Sequence, residues 1–152
     1  MHHQQSDFAK CKGKDSNAVK IVYQTINKNT GRVGGNGNGG PIYGELTEGS
    51  MQKIIDCLTA KTGLGQQSRW IDIGCGRGKP NMHVAQDPGV QFSFGIEIQK
   101  LRTNLASLSL YHLMNAAKKG STVATNCFFQ RGNITEAKSL DPFTHIYAYD
   151  VA

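Results

Sequence analysis

The run Trp70-Ile71-Asp72-Ile73-Gly74-Cys75-Gly76-Arg77-Gly78 constrains this chain more than any other stretch. Trp70 to Ile73 is short and half-apolar and reads as a strand. Three glycines at every second position then let the backbone turn sharply and approach a ligand closely. Pro80 falls where a helix begins, a place where its missing N–H costs nothing. A strand, a glycine turn and a helix start together offer backbone N–H donors and a positive dipole end to an anionic group. The dinucleotide fingerprint would require glycine at position 79, and the residue there is Lys79. The loop therefore points to a nucleotide-like pocket, but not one of the usual dinucleotide form.

The rest of the chain extends this unit into a fold. Ala18, Ile21, Val22 and Ile26 fall at helical spacing, predicting a short helix over Asn17 to Ile26. Thr47 is placed to cap a helix over about 48–61, with Met51, Ile54, Ile55 and Leu58 as its stripe and Gly63 as its stop. Strands are expected at Val90 to Glu97, Asn126 to Gln130 and Thr144 to Val151. A long helix from Leu101 to Ala117 places Leu105, Leu108 and Leu113 for burial, and a short helix precedes the last strand. This alternation predicts an α/β, Rossmann-like, doubly wound and mostly parallel sheet, with helices on both faces and right-handed crossovers.

Two parts are expected. Residues 1–40 read as a basic, glycine-rich arm carrying the short helix, and residues 41–152 as the core domain. Six basic side chains (Lys10, Lys12, Lys14, Lys20, Lys28 and Arg32) face only Asp7 and Asp15 in the arm, so four of the six net positive charges sit there. Such arms meet polyanions or simply stay solvated. Seven glycines between Gly31 and Gly44 read as a linker or hinge. Cys11, Cys57, Cys75 and Cys127 form no C-x-x-C pair and the five histidines are scattered, so neither a metal site nor a disulfide scaffold is expected. No apolar run approaches the roughly 18 residues of a membrane span.

Further constellations refine the pocket. Glu97 closes the second strand 19 residues after Gly78, where a carboxylate commonly grips a pair of ribose hydroxyls. With the glycine loop it points to adenosine at the carboxyl ends of the strands. Ile42-Tyr43-Gly44-Glu45-Leu46-Thr47 precedes the second helix, Arg131-Gly132-Asn133-Ile134 follows the third strand, and Tyr147-Ala148-Tyr149-Asp150 ends the fourth. The amide of Asn133 can read an adenine amino group and Ile134 can lie on its ring. Aromatic and polar residues at the end of the fourth strand can border a reacting group.

The spacing D-x-G-x-G-x-G is the form typical of methyltransferases. From about residue 41 to 152 the chain resembles the nucleosomal histone H3 lysine methyltransferases named for disruption of telomeric silencing, non-SET enzymes with a seven-strand class I methyltransferase fold. Tyr43-Gly44-Glu45 is similar to the family's Y-G-E loop, and Asp72 to Gly78 to its glycine loop. Phe94-Gly95-Ile96-Glu97 is similar to its strand ending in G-x-E, and Arg131-Gly132-Asn133 to its R-G-D segment. Gly78-Lys79-Pro80-Asn81 and Asp141 to Tyr147 are nearest to the protozoan branch. In departure from the pattern, Leu46 intervenes before Thr47, and Asn133 replaces the adenine-side acid. The fourth-strand motif is matched by Tyr149-Asp150-Val151 shortly before the last residue, so the family's C-terminal strands are expected to be missing.

The resemblance implies S-adenosyl-L-methionine as cofactor. It implies Asp72, Gly74, Gly76, Gly78 and Lys79 at the methionine end, Glu97 and Ile98 at the ribose, and Asn133 and Ile134 at the adenine. Tyr43, Glu45 and Thr47 would fold over the cofactor, and Tyr43, Tyr149 and Asp150 would form the catalytic side. It further implies a nuclear protein that methylates histone H3 on nucleosomes, with residues 10–32 meeting DNA phosphates. A methyltransferase of RNA or of a small molecule, and a non-catalytic module that binds cofactor or protein, are the alternatives.

Overall fold

The computed structural model describes residues 17–31 and 44–149. Tyr43, Asp150, the charges before Asn17 and most of the glycine-rich stretch lie outside the described residues. Among the described residues there are four helices: α1 (Asn17–Thr30), α2 (Glu48–Thr62), α3 (Lys79–Gln86) and α4 (Lys100–Lys118). The same residues hold four strands, β1 (Arg69–Ile73), β2 (Phe92–Glu97), β3 (Cys127–Arg131) and β4 (His145–Ala148), with α3 and α4 between the first three. One 3-10 turn, Ile134–Glu136, lies between β3 and β4.

The strands form one sheet in the order β3-β2-β1-β4, and every pairing is parallel. The expected Rossmann-like α/β architecture is present. Val90 and Gln91 precede β2 rather than opening it, because the Gln91 N–H already bonds the Ser68 carbonyl outside the ladder (2.8 Å). The last strand ends at Ala148, leaving Tyr149 past the sheet.

Register and pleat set the two faces. Trp70 is level with Ser93 and His145, and Asp72 with Gly95 and Tyr147, so these side chains share one face. On that face α1, α3 and α4 bury Val19, Val22, Tyr23, Ile26, Met82, Leu113 and Cys127 in one cluster. Beside it Met51 and Ile55 of α2 pack with Leu64, Trp70, Val84 and Val90. Trp70 stacks on Tyr147 with ring centroids 5.3 Å apart.

Helices on both faces were expected, but the described helices all pack on this one. The physical reason is the order of crossovers. The path β1 to β2 to β3 steps twice in one direction, so two right-handed crossovers put α3 and α4 on the same side. The return from β3 to β4 carries only the 3-10 turn. The opposite face shows Phe128 of β3 and Ile146 of β4 more than half exposed. Phe143 packs against Phe92 and Phe94 there.

Three local findings matter for the site. Helix α1 runs a turn beyond Ile26, and its buried stripe is Val19, Val22, Tyr23 and Ile26. It packs on α3 and α4, so it shares the core of the domain that follows. Thr47 caps α2 by accepting from the Ser50 N–H at 3.2 Å, and Gly63 ends that helix at φ 70°. On α4, Thr103, Ala106, Ser109 and Leu113 are the buried positions, whereas Leu108 is exposed. The buried positions recur at 103, 106, 109 and 113, which turns Leu108 outward against the expectation from apolar spacing.

Candidate active site

At the carboxyl ends of β1 and β2 the backbone turns into two adjoining hollows of about 280 and about 350 Å³. Gly74, Gly76 and Gly78 all have positive φ, and the last is the N-cap of α3. The amides of Gly74 and Cys75 both bond the Ile96 carbonyl, at 2.9 and 3.1 Å, which straps the glycine loop to β2. Glu97 is buried. One carboxylate oxygen accepts from the Gly76 N–H (3.0 Å) and the other from the Gln99 N–H (2.9 Å). Two amides thus fix the carboxylate at the junction of the two hollows, and each oxygen keeps a further lone pair for a hydroxyl.

Asp72 is the second buried acid. Its Oδ2 has no hydrogen-bond partner, and neither has the Tyr147 hydroxyl. Both residues line the first hollow, with Tyr23, Glu45, Lys79 and Tyr149. Burial first, and the charge of Glu97 second, raise the Asp72 carboxyl to about 8. Burial, then Asp72 and Tyr149, push the Tyr147 phenol up to about 12. Orphaned oxygens of this kind, enclosed on residues that line a cavity, suit a ligand that brings N–H or O–H donors or a positive charge.

Arg77 ties the surrounding pieces together. Its guanidinium is buried and makes a two-pronged bond with Glu45, Nε to Oε1 at 2.7 Å and Nη2 to Oε2 at 2.6 Å. Nη1 reaches the Thr30 hydroxyl at 2.9 Å and the Gly31 carbonyl. Lys79 adds a second cation to Glu45, with Nζ 2.8 Å from Oε2.

The first hollow thus collects Glu45, Asp72, Gly74, Lys79, Glu97, Ile98 and Tyr149 from the expected site residues. The second collects Asn133 and Ile134, and shares Gly74, Glu97, Ile98 and Tyr149 with the first. Gly76 acts through its amide on Glu97, and Gly78 opens α3. Thr47 lies on neither wall; its hydroxyl is taken up as the α2 cap. Asn133 sits as expected, but its Oδ1 already accepts from the Thr135 N–H and hydroxyl, at 3.0 and 2.8 Å. What the side chain has left to offer is its amide N–H, a donor rather than the expected acceptor.

Tyr23 and Met51 line the first hollow without having been expected there, and Tyr147 joins them from the constellation at the end of β4. The signal for Tyr23 was its place in the 19-22-23-26 stripe of α1. Among the described residues no His, Cys, Asp or Glu group could hold a metal ion, and no helix is long and apolar enough to cross a membrane.

The raised Asp72 carboxyl makes a test of the electrostatics. A folded-state value near 8, against an unfolded value near 4, favours folding when the group is protonated. This contribution is complete below about pH 4 and is lost as pH rises towards 8. Asparagine mimics the neutral acid, so in unliganded protein the stability of wild type relative to Asp72→Asn should fall steadily across that window. Urea titrations at several pH values measure this, and a pH-independent difference contradicts the account.

Comparison with known proteins agrees with this geometry. The family described as "Histone methylation protein DOT1" matches residues 38–142. A methyltransferase of Geobacter sulfurreducens, solved with S-adenosyl-L-homocysteine, superposes with TM-score 0.54 at 18% identity, covering 86% of this chain and 43% of that one. A Plasmodium falciparum protein, also solved with S-adenosyl-L-homocysteine, gives 0.57 at 16% identity, covering 89% of this chain and 66% of that one. No curated protein matches. At such identities the likeness is one of fold, the Rossmann-like class I methyltransferase fold, and this chain spans only part of the length of the structures it matches. The match over residues 38–142 contains the glycine loop, Glu97 and Asn133, the residues on which the resemblance rested. The chain belongs to the family of the histone methylation protein DOT1.

Proposed function

We propose that this chain is an S-adenosyl-L-methionine-dependent histone H3 lysine N-methyltransferase that acts on nucleosomes in the nucleus. One observation carries the reading. The segment that matches the family, residues 38–142, supplies most of the residues that line two adjoining hollows, with a buried, amide-held carboxylate between them. The residues fit the cofactor. The free lone pairs of Glu97 suit a ribose diol, the orphaned Asp72 Oδ2 suits a cationic head, and Ile98 and Ile134 offer apolar surface for a flat ring.

When bound, S-adenosyl-L-methionine supplies a methyl carbon activated by a sulfonium. The protein's part is then alignment and exclusion of water, since in-line transfer to an amine needs no covalent nucleophile. Tyr147 and Tyr149 border the first hollow from the end of β4 and give the amine an aromatic approach. His83, His112 and His145 take no part: His83 is buried between Tyr23 and Gln52, and His145 bonds Thr62. The basic side chains of residues 10–32 are the natural contact for DNA phosphates, a contact that weakens with salt.

The test offers labelled methyl donor with nucleosomes, free histone H3 and RNA in parallel. Label is expected in H3 of the nucleosomes. Label entering only RNA overturns the histone assignment, and calorimetric binding of S-adenosyl-L-homocysteine with no label in any substrate marks a cofactor-binding module instead.

A further inference from the structure

Tyr23 belongs to α1, outside residues 38–142, and yet it lines the first hollow. Its hydroxyl opens a hydrogen-bonded chain that runs through the core to the surface. Tyr23 Oη lies 2.9 Å from His83 Nδ1. His83 Nε2 lies 2.7 Å from Gln52 Oε1. Gln52 Nε2 bonds Asp56 Oδ1 at 2.9 Å and Asp87 Oδ2 at 2.8 Å.

The direction of this chain follows from its far end. Two carboxylates can only accept, so both N–H groups of Gln52 are spent on them. The Gln52 oxygen must therefore accept, and His83 must donate to it from Nε2. Burial holds the fully enclosed imidazole neutral, down to about 4, so it carries a single N–H. That N–H is on Nε2, which leaves Nδ1 a bare lone pair. The Tyr23 hydroxyl must then give its one proton to Nδ1, and towards anything else its oxygen is only an acceptor.

Asp72 and Tyr147 belong to the same wall, and each has an enclosed oxygen, Asp72 Oδ2 and the Tyr147 hydroxyl, without a partner. An ammonium group carries three N–H donors for such oxygens, and the wall's own cation, Lys79, whose Nζ lies 5.7 Å from the Tyr23 ring centroid, is paired with Glu45.

We propose that Tyr23, its proton locked onto His83 by Gln52, Asp56 and Asp87, is a specificity residue that accepts a hydrogen bond from the α-ammonium of the ligand's amino-acid end. The proposal rests on the cofactor reading above and extends it to a helix outside the matched segment. Tyr23 thereby selects ligands that keep the amino acid over those that keep only the nucleoside.

The test compares two ligands on the full chain by calorimetry: S-adenosyl-L-homocysteine, which has the amino-acid end, and 5′-methylthioadenosine, which lacks it. Tyr23→Phe is expected to weaken the first by about 10- to 100-fold, the usual worth of a hydrogen bond to a charged group, and to leave the second within about twofold. Because Tyr23→Phe leaves His83 Nδ1 unpaired, a second variant stands outside the pocket. Gln52→Leu frees the imidazole to exchange tautomers and should weaken only S-adenosyl-L-homocysteine, by less than Tyr23→Phe does. The ¹⁵N spectrum of His83 should show the Nε2-protonated neutral ring in wild type and a mixture in Gln52→Leu. Equal effects on both ligands, no effect on either, or an Nδ1-protonated His83 in wild type overturns the proposal. Failure of wild type to bind either ligand overturns the cofactor reading itself.

Discussion

Replacing Arg77 with leucine should destabilise the protein by about 3–5 kcal/mol, the usual cost of leaving one member of a buried ion pair alone. The side chain is 1% exposed and Glu45, its partner, 14%. The two prongs to Glu45, at 2.7 and 2.6 Å, have the fork geometry that arginine provides and lysine cannot. Arg77→Lys should therefore recover little. Lys79 keeps one oxygen of Glu45 company in the variant, but the second oxygen loses its donor. Removing Glu45 instead, as Glu45→Leu, strands the guanidinium and should cost as much. The double variant should be more stable than the sum of the two losses predicts, since guanidinium and carboxylate leave together and only the Lys79 ammonium loses a partner. Denaturant unfolding of the four proteins measures the cycle, and a loss below about 1 kcal/mol for Arg77→Leu refutes the account. The same guanidinium holds Thr30 and Gly31 at the end of α1. The variant should thus also bind S-adenosyl-L-homocysteine more weakly, because Tyr23 on α1 and Glu45 in the following loop are both walls of the first hollow.

This clamp shows where sequence reading stops. The glycine loop, Pro80 and Glu97 were legible because their relationship is set by spacing along one stretch of chain, where strand, turn and helix leave few geometries. Tyr23 and the Arg77–Glu45 bond were not, because they join residues 32 to 60 positions apart through the packing of α1 on α3 and α4. In the sequence Arg77 is one more residue between glycines. Only the fold shows it to be buried. Asn133 lies where the sequence placed it, but its oxygen is spent on capping the 3-10 turn that follows, a local bond the spacing does not reveal. Leu108 failed because an apolar stripe does not say which face of a helix its neighbours cover, and α4 packs into the core shared with α1 through Leu113, with Leu110, Ala116 and Ala117 beside it.

The other large effect falls on the glycine loop itself, where two glycines separate strain from crowding. Gly74 and Gly78 have nearly equal φ, +74° and +78°, so alanine at either meets the same left-handed penalty of about 1–2 kcal/mol. A Cβ at Gly74 meets nothing within 4 Å, whereas one at Gly78 stands 2.4 Å from Phe129 Cζ and 2.5 Å from Cε1. The Phe129 ring cannot retreat towards β2, because a Cβ at Gly95 would already stand 2.8 Å from its Cδ1. Gly78→Ala should therefore carry an added overpacking cost of about 1–3 kcal/mol that Gly74→Ala escapes. It should also disturb the first turn of α3, which Gly78 caps, and so weaken S-adenosyl-L-homocysteine binding more than Gly74→Ala does. In a Phe129→Ala background the ring is gone, and the cost of Gly78→Ala should drop to that of Gly74→Ala. Urea unfolding of the two single variants and of the Gly78→Ala pair in both backgrounds reads the difference. If the two alanines cost the same in wild type, the Phe129 ring yields to the new methyl group, and the tight seat of the glycine loop against β3 is not what holds it in place.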